Sequence, residues 1–239
     1  LPPHADGTLP LPLDVPAKGK CFVNICYHCK QDSALIKADH LLGFDEIPLQ
    51  NSDPRNQDAV QLLGRPAGDG LITIRETDRM LVLSCEQFTY VFNKLTGLFD
   101  KMTFANEPLL DQPMGFNVWR APTDNDRKLK ADWYAAHYDH AATNAYHTEY
   151  TVTASGVTLH THVGIAAICV QKFLDLDVTW TVANNGSVDL ALHAQRNTVF
   201  PELPRFGLRL FLPQEMSQVN YYGMGPMECY CDKHHAASH

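Results

Sequence analysis

Apolar and polar positions alternate with a period of two along most of the chain. From Lys18 to Lys30, Cys21, Val23, Ile25, Tyr27 and Cys29 alternate with Phe22, Asn24, Cys26 and His28, the spacing of a strand with two unlike faces. A second run, His40 to Leu49, is expected to pair with it, with Asp45 and Glu46 facing water. Two strands bury too little to stand alone, so this hairpin reads as the end of a domain whose earlier strands lie upstream. Residues 51–70 (NSDPRNQDAVQLLGRPAGDG) are polar, with Pro and Gly near both ends, and read as a linker. Strand patterns then follow closely at Leu71–Arg75, Met80–Cys85, Phe88–Asn93 and Leu98–Asn106. They resume at Tyr146–Thr153, Val157–Val163, Lys172–Ala183, Val188–Val199, Gly207–Leu212 and Gln218–Tyr222.

Turn chemistry supports this division. Lys94-Leu95-Thr96-Gly97 is a short hairpin step in which Gly97 is expected to supply a positive φ, and Asn184-Asn185-Gly186-Ser187 is a second. One helical stretch is predicted, Lys128 to His140, with Leu129, Trp133 and Ala136 on a shared face. So many strands at short spacing predict an all-β, antiparallel sandwich and exclude a βαβ arrangement.

Composition narrows the function classes. Hydrophobic residues make up 45% and charged residues 19%, which suits a folded globular chain. A net charge of −8 without a basic stripe argues against nucleic acid as a partner. No apolar run approaches ~18 residues, so no membrane partner is expected. Seven cysteines cannot all pair internally, and several sit in strand patterns as small apolar side chains; reduced thiols and a cytoplasmic location are expected. The chain opens at Leu1 without a methionine, and Pro2, Pro3, Pro10, Pro12 and Pro16 keep its first segment extended. These features predict a piece of a longer polypeptide.

Two segments carry a specific resemblance. The first is Phe116-Asn117-Val118-Trp119-Arg120-Ala121-Pro122-Thr123-Asp124-Asn125-Asp126-Arg127. The second runs from Tyr221 through Gly223-Met224-Gly225-Pro226-Met227-Glu228-Cys229-Tyr230-Cys231-Asp232-Lys233. In this order they resemble the C-terminal domain of the β-galactosidases of glycoside hydrolase family 2, where Arg-Ala-Pro-x-Asp-Asn-Asp precedes Gly-x-Gly-Pro-x-Glu-x-Tyr-x-Asp-Arg. Lys233 replaces the final Arg, and Cys229 and Cys231 fall on variable positions. The Phe92-Asn93-Lys94-Leu95-Thr96-Gly97 step resembles the turn near the start of that domain, and residues 1–50 resemble the last strands of the immunoglobulin-like domain before it.

The resemblance implies three parts: residues 1–50 ending an immunoglobulin-like sandwich, 51–70 a linker, and 71–239 an incomplete super-sandwich of galactose mutarotase-like fold. It implies a non-catalytic segment of an enzyme that hydrolyses terminal β-galactosides such as lactose with retention. The two catalytic glutamates and the Mg²⁺ ligands of that family lie on an upstream barrel, so no catalytic residue and no metal or other cofactor is expected in this chain. The implied partners are the remainder of the polypeptide, the β-galactoside and further subunits of a homo-oligomer. Arg120, Thr123, Asp124, Asn125 and Asp126 are implied to form a loop at the rim of the active site. Gly223, Gly225, Pro226, Glu228, Tyr230 and Asp232 are implied to form a structural motif, a backbone bend with Glu228 and Tyr230 satisfying buried groups.

Other readings follow from the residues themselves. The 120–126 loop either locks itself, with Arg120 pairing to Asp124 or Asp126, or closes over a ligand. Asp175 and Asp177 share a strand face ~6–7 Å apart, a spacing compatible with a carboxylate pair, though a solvated face accounts for them. Cys26 and Cys29 have zinc-like spacing but no second pair. His137 and His140 lie three apart on the predicted helix, and Asn185-Gly186-Ser187 matches a glycan acceptor that its turn role already explains. As a free-standing alternative, the domain would be a carbohydrate-binding module, with Trp180 and His193 as candidate contacts. A mutarotase-like epimerase would need a well-placed Glu on the later strands, which the pattern does not supply.

Overall fold

The computed structural model describes residues 4–8, 10–15, 20–50, 70–219, 221, 223–227 and 233–239. Its contacts divide into two compact units, residues 1–64 with 219–239, and residues 65–218. The expected linker lies outside the described residues except for Gly70. The second motif, from Gly223 onward, belongs to the unit that contains the N-terminal hairpin.

In the first unit β1 (Cys21–His28) pairs antiparallel with β2 (Leu41–Gln50), in the register Val23↔Ile47 and Ile25↔Asp45. The alternation seen in the sequence is realised, but no described residue of either strand is fully buried. Asp45 and Glu46 do not share an environment, because neighbours on a strand point to opposite faces. Asp45 accepts the Tyr27 hydroxyl at 2.7 Å. Glu46, expected in water, instead accepts the backbone N–H of His239 and pairs with its Nδ1, both at 2.8 Å. The His239 ring stacks on Phe22 with centroids 4.4 Å apart.

The second unit is the sandwich. One sheet runs β3 (Thr73–Glu76), β4 (Met80–Ser84), β5 (Phe88–Asn93), β6 (Leu98–Phe104), β7 (Glu107–Pro108). The other contains β9 (Ala142–Thr153), β10 (Gly156–Ala166), β11 (Leu174–Ala183) and β12 (Val188–Arg196) in the order β12-β11-β10-β9. β8 (Gln112–Asn117) pairs separately with β13 (Gly207–Phe211). All pairings are antiparallel. The core is the alternate set from each sheet: Leu81, Leu83, Tyr90, Phe92 and Phe99 against Leu159, Val163, Leu176, Val178 and Trp180. Each such side chain contributes about 1.5–3 kcal/mol by leaving water.

Both predicted turns form. Gly97 has φ +73 and its N–H donates to the carbonyl of Asn93 at 2.8 Å. A Cβ there would stand 2.8 Å from Val163 Cγ2 and 2.9 Å from Thr161 Cγ2, so the turn of one sheet lies directly on β10 of the other. Gly186 has φ +83 and its carbonyl accepts the buried Tyr90 hydroxyl at 2.7 Å.

The helix differs from expectation. Within the predicted stretch only α1 (Lys130–Ala135) is α-helical, followed by a 3-10 turn at Tyr138–His140. His137, with φ 55, breaks the run. Leu129 is 49% exposed, so the predicted face reduces to Trp133 and Ala136. The break turns Tyr138 inward, where it is fully buried against Phe173 at 4.7 Å and its hydroxyl reaches the carbonyl of Pro201 at 2.7 Å. Burial of an aromatic ring outweighs one further turn of exposed helix. β8 escaped the sequence reading, and Gln218 and Val219, assigned to a strand there, lie outside strands.

Gly97→Ala combines a left-handed backbone with overlap on Val163 and Thr161. It should cost about 1–3 kcal/mol in urea unfolding. Trp180→Phe, which removes the indole N–H from the Gly97 carbonyl at 3.0 Å, should cost a similar ~2 kcal/mol.

Candidate functional site

β8 delivers the chain to the 120–126 turn through Asn117. The Asn117 amide donates to the Trp119 carbonyl at 2.9 Å, its oxygen accepts the Trp119 N–H at 3.3 Å, and Arg209 Nη2 donates to the same oxygen at 2.9 Å. Val118 is buried, and Trp119 packs against Tyr134 of α1 with centroids 5.2 Å apart. The chain then enters a 3-10 turn at Asp124–Asp126.

Asp126 organises this loop. Arg120 approaches it with both terminal nitrogens, Nη2 to Oδ1 at 2.8 Å and Nη1 to Oδ2. The Thr123 N–H and hydroxyl donate to Oδ2 at 2.7 and 2.9 Å. Asp126 is only 6% exposed. The hydrogen bonds from Arg120, then that from the Thr123 backbone, hold its carboxyl far below the usual carboxylate range. It therefore stays ionised near neutral pH and is unsuited to donating a proton. Asp124 and Asn125 point outward instead; the Asp124 side chain is 93% exposed, with Arg127 Nη2 3.4 Å away. Of the two pairings open to Arg120, the structure selects Asp126.

Arg120 also faces the second wall. Its Nε donates to the Pro204 carbonyl at 3.0 Å and its guanidinium lies 5.1 Å from the centre of the Trp133 ring. The 197–206 loop is fastened at further points: Trp133 Nε1 to the Glu202 carbonyl at 2.9 Å, and Arg196 to the Phe200 carbonyl and the Glu202 carboxylate, both at 2.7 Å. A depression of about 490 Å³ between α1 and this loop is lined by Asp132, Ala135, Ala136, Val199, Phe200 and Pro201.

Asp175 and Asp177 do share the outward face of β11, as their spacing predicts, and their partners come from elsewhere. His162 on β10 lies between them, Nδ1 3.0 Å from Asp177 and Nε2 3.1 Å from Asp175. Lys172 pairs with Asp175, and that bond raises the lysine pKa. The sequence reading missed His162. Its signal was the alternation of His160 and His162 with the apolar Leu159 and Val163 and the small Thr161 between them.

Several candidates resolve differently. Trp180, a candidate sugar contact of the binding-module alternative, is core: it is 2% exposed and packs edge-on against Phe99 at 5.2 Å. His193 is exposed on β12, opposite Asp177. Cys26 is exposed and Cys29 Sγ donates to the Gln31 carbonyl at 3.1 Å. His137 and His140 do not share a helix, and His140 Nε2 lies 3.4 Å from Asp139. Among the described residues no group of three or more His, Cys, Asp or Glu is arranged to hold a metal ion. Asn185 closes its own turn, accepting from the Ser187 N–H at 3.0 Å and hydroxyl at 2.7 Å. In the second motif, the chain bends through Gly223–Met227, and Gly225 exchanges backbone hydrogen bonds with Ser238 at 2.9 and 3.0 Å. Pro226 follows in that bend, while Glu228, Tyr230 and Asp232 lie outside the described residues.

An antiparallel sandwich carrying a self-locked Arg–Asp loop is therefore the class of protein present. Residues 84–239 match the family model described as beta galactosidase small chain, and the chain belongs to that family. It is 32% identical over 99% of its length to a beta-galactosidase of Actinobacillus pleuropneumoniae, and 31% identical over 97% to one of Staphylococcus xylosus. A Pseudoalteromonas haloplanktis beta-galactosidase is 26% identical over 90% of the chain. The chain spans 23% of the length of the first two relatives, so it corresponds to a C-terminal part of such a protein.

The depressed Asp126 carboxyl sets a pH dependence. Its folded pKa lies below the unfolded value of about 3.9, so its stabilisation is complete above that value and is lost as pH falls through the folded one. Asp126→Asn should melt at a lower temperature than the parent at pH 7. The gap should narrow as pH drops below about 4, which thermal unfolding at several pH values would read.

Proposed function

We propose that this chain is a non-catalytic C-terminal segment of a β-galactosidase that hydrolyses terminal β-galactosides such as lactose with retention. In that enzyme it supports the catalytic barrel, contributes the 120–126 loop to the active-site rim, and takes part in a homo-oligomer. The observation that carries the reading is the match of nearly the whole chain to about a quarter of much longer beta-galactosidases. Retaining hydrolysis needs two carboxylates ~5 Å apart, one of them able to carry a proton near neutral pH. Asp126 is held ionised by Arg120 and Thr123, and Asp175 and Asp177 are engaged with His162 and Lys172. Both arrangements favour catalytic glutamates located upstream.

The loop's construction suits a rim. Arg120, Thr123 and Asp126 fix the backbone, leaving the exposed side chains of Asp124 and Asn125 as short acceptors and donors for a hydroxyl-rich ligand, with the Thr123 hydroxyl oxygen as a further acceptor. Among the described residues no ligand set suits the Mg²⁺ that the family resemblance implies for the barrel. Free thiols at Cys21, Cys26, Cys29, Cys85 and Cys169 support a reducing, cytoplasmic setting. No helix among the described residues is long and apolar enough to cross a membrane.

A hybrid tests this reading. The chain replaces its matching segment in the Actinobacillus pleuropneumoniae relative, and hydrolysis of nitrophenyl β-galactoside is measured. The hybrid should hydrolyse the substrate, while the relative lacking the segment and the chain alone should not; a correctly assembled but inert hybrid would refute the proposal. In the active hybrid, Asn125→Ala should raise KM roughly 3–10-fold with kcat changed by less than about twofold, the pattern of a lost binding contact.

A further inference from the structure

Asn185-Gly186 is the only Asn-Gly step in the sequence, and it lies in the turn between β11 and β12. An Asn followed by Gly is chemically labile, because no side chain on the second residue shields its backbone nitrogen from the Asn amide carbon. The nitrogen attacks that carbon, a C–N bond forms, the N–H proton passes to solvent, and the side-chain nitrogen leaves as ammonia. Water then opens the five-membered imide at either carbonyl. One opening gives Asp; the other gives isoaspartate, whose main chain is longer by a methylene.

The folded turn opposes each part of that step. The Gly186 N–H donates to the Ala183 carbonyl at 2.9 Å, so the attacking nitrogen is engaged. Asn185 Oδ1 accepts from the Ser187 N–H at 3.0 Å and hydroxyl at 2.7 Å, which holds the amide in one rotamer. Gly186 is pinned as well. Its carbonyl accepts the Tyr90 hydroxyl at 2.7 Å, and a Cβ on it would stand 2.9 Å from Phe104 and 3.1 Å from Phe88. The attack requires the Asn185 backbone and side chain to rotate together, and these contacts resist both rotations. Asn184 differs: its amide donates to the Ala154 carbonyl at 2.8 Å, and it precedes Asn in place of Gly.

We propose that Asn185 is a one-way modification site gated by the β11–β12 hairpin: its amide is lost when the turn opens, and the isoaspartate formed keeps the turn from closing. The rate is then that of a loose chain multiplied by the open fraction. The longer main chain of isoaspartate cannot place the Gly186 carbonyl on Tyr90 and its N–H on Ala183 at once. Asp, with an unchanged main chain, can.

Peptide mapping of the whole chain during incubation in mildly alkaline buffer tests the proposal, with electron-transfer fragmentation separating isoaspartate from Asp. Modification is expected at Asn185 and not at Asn184, and at least ~10-fold faster in guanidinium chloride than in buffer. Tyr90→Phe, which releases the Gly186 carbonyl, and Ser187→Ala, which removes one donor to the Asn185 amide, should each raise the rate in buffer ~3–10-fold. Gly97→Ala, at the other hairpin, should raise it by less than about twofold. Chains carrying isoaspartate, isolated by ion exchange, should melt below the Asn185→Asp variant. Equal rates in buffer and denaturant, or an unchanged rate in both turn variants, would overturn the gating. Acceleration by Gly97→Ala equal to that by Tyr90→Phe would overturn it too, since global unfolding would then be the gate. Isoaspartate chains that melt with Asn185→Asp would overturn the one-way character.

Discussion

Everything in the larger unit hangs on how closely its two sheets approach at the Gly97 turn. The Trp180 indole packs edge-on against Phe99 and donates its N–H to the Gly97 carbonyl, while the missing Cβ of Gly97 lets the turn settle on Thr161 and Val163. One contact therefore buries a large apolar ring, satisfies its single polar atom and sets the spacing between layers. A second joint works in the same way at the other hairpin, where Tyr90 reaches the Gly186 carbonyl and the glycine sits against Phe104 and Phe88. With both turns pinned, the register of the strands between them is fixed, and a one-residue slip would expose the whole apolar set.

That rigid pair of sheets positions an irregular region held by polar contacts. The aromatic side chains of Trp133 and Tyr138 face the core, and their polar ends grip the carbonyls of Glu202 and Pro201. Arg196 and Arg120 hold neighbouring carbonyls of the same loop. Arg120 is shared between this grip and Asp126, so the 120–126 and 197–206 loops are coupled through one guanidinium. Such fork-shaped, charge-assisted bonds hold geometry more tightly than a flexible amine would. A loop built this way presents its tip residues with little conformational freedom left to lose on meeting a ligand, which suits the rim role proposed for it.

The opposite side of the second sheet follows another logic. It has no apolar layer over it among the described residues, and it carries histidines, carboxylates and threonines; those of β10 and β11 follow the regular alternation, while Tyr146, His147 and Glu149 of β9 owe their placement to a single bulge. Bulges re-aim side chains at the cost of a disrupted ladder. Here the re-aimed residues gather a ring, two further histidines and the carboxylates on a sheet that already has its core face filled.

The chain's own order of residues determined the strand-rich class, the two glycine turns and the two motifs that carry the resemblance, because alternation and left-handed turn residues act over a few positions. It also determined that Asp175 and Asp177 share a face, since the strand period is local. What tertiary structure decided was everything that depends on partners distant in sequence. Whether Arg120 took Asp124 or Asp126 followed from the pull of the Pro204 carbonyl and the Trp133 ring. The helix stopped at Ala135 because Tyr138 gained more from burial against Phe173 than from another turn. Trp180 went inward, and His162 came between two aspartates, because cross-strand register is set by turns and core packing, not by the sequence of either strand alone.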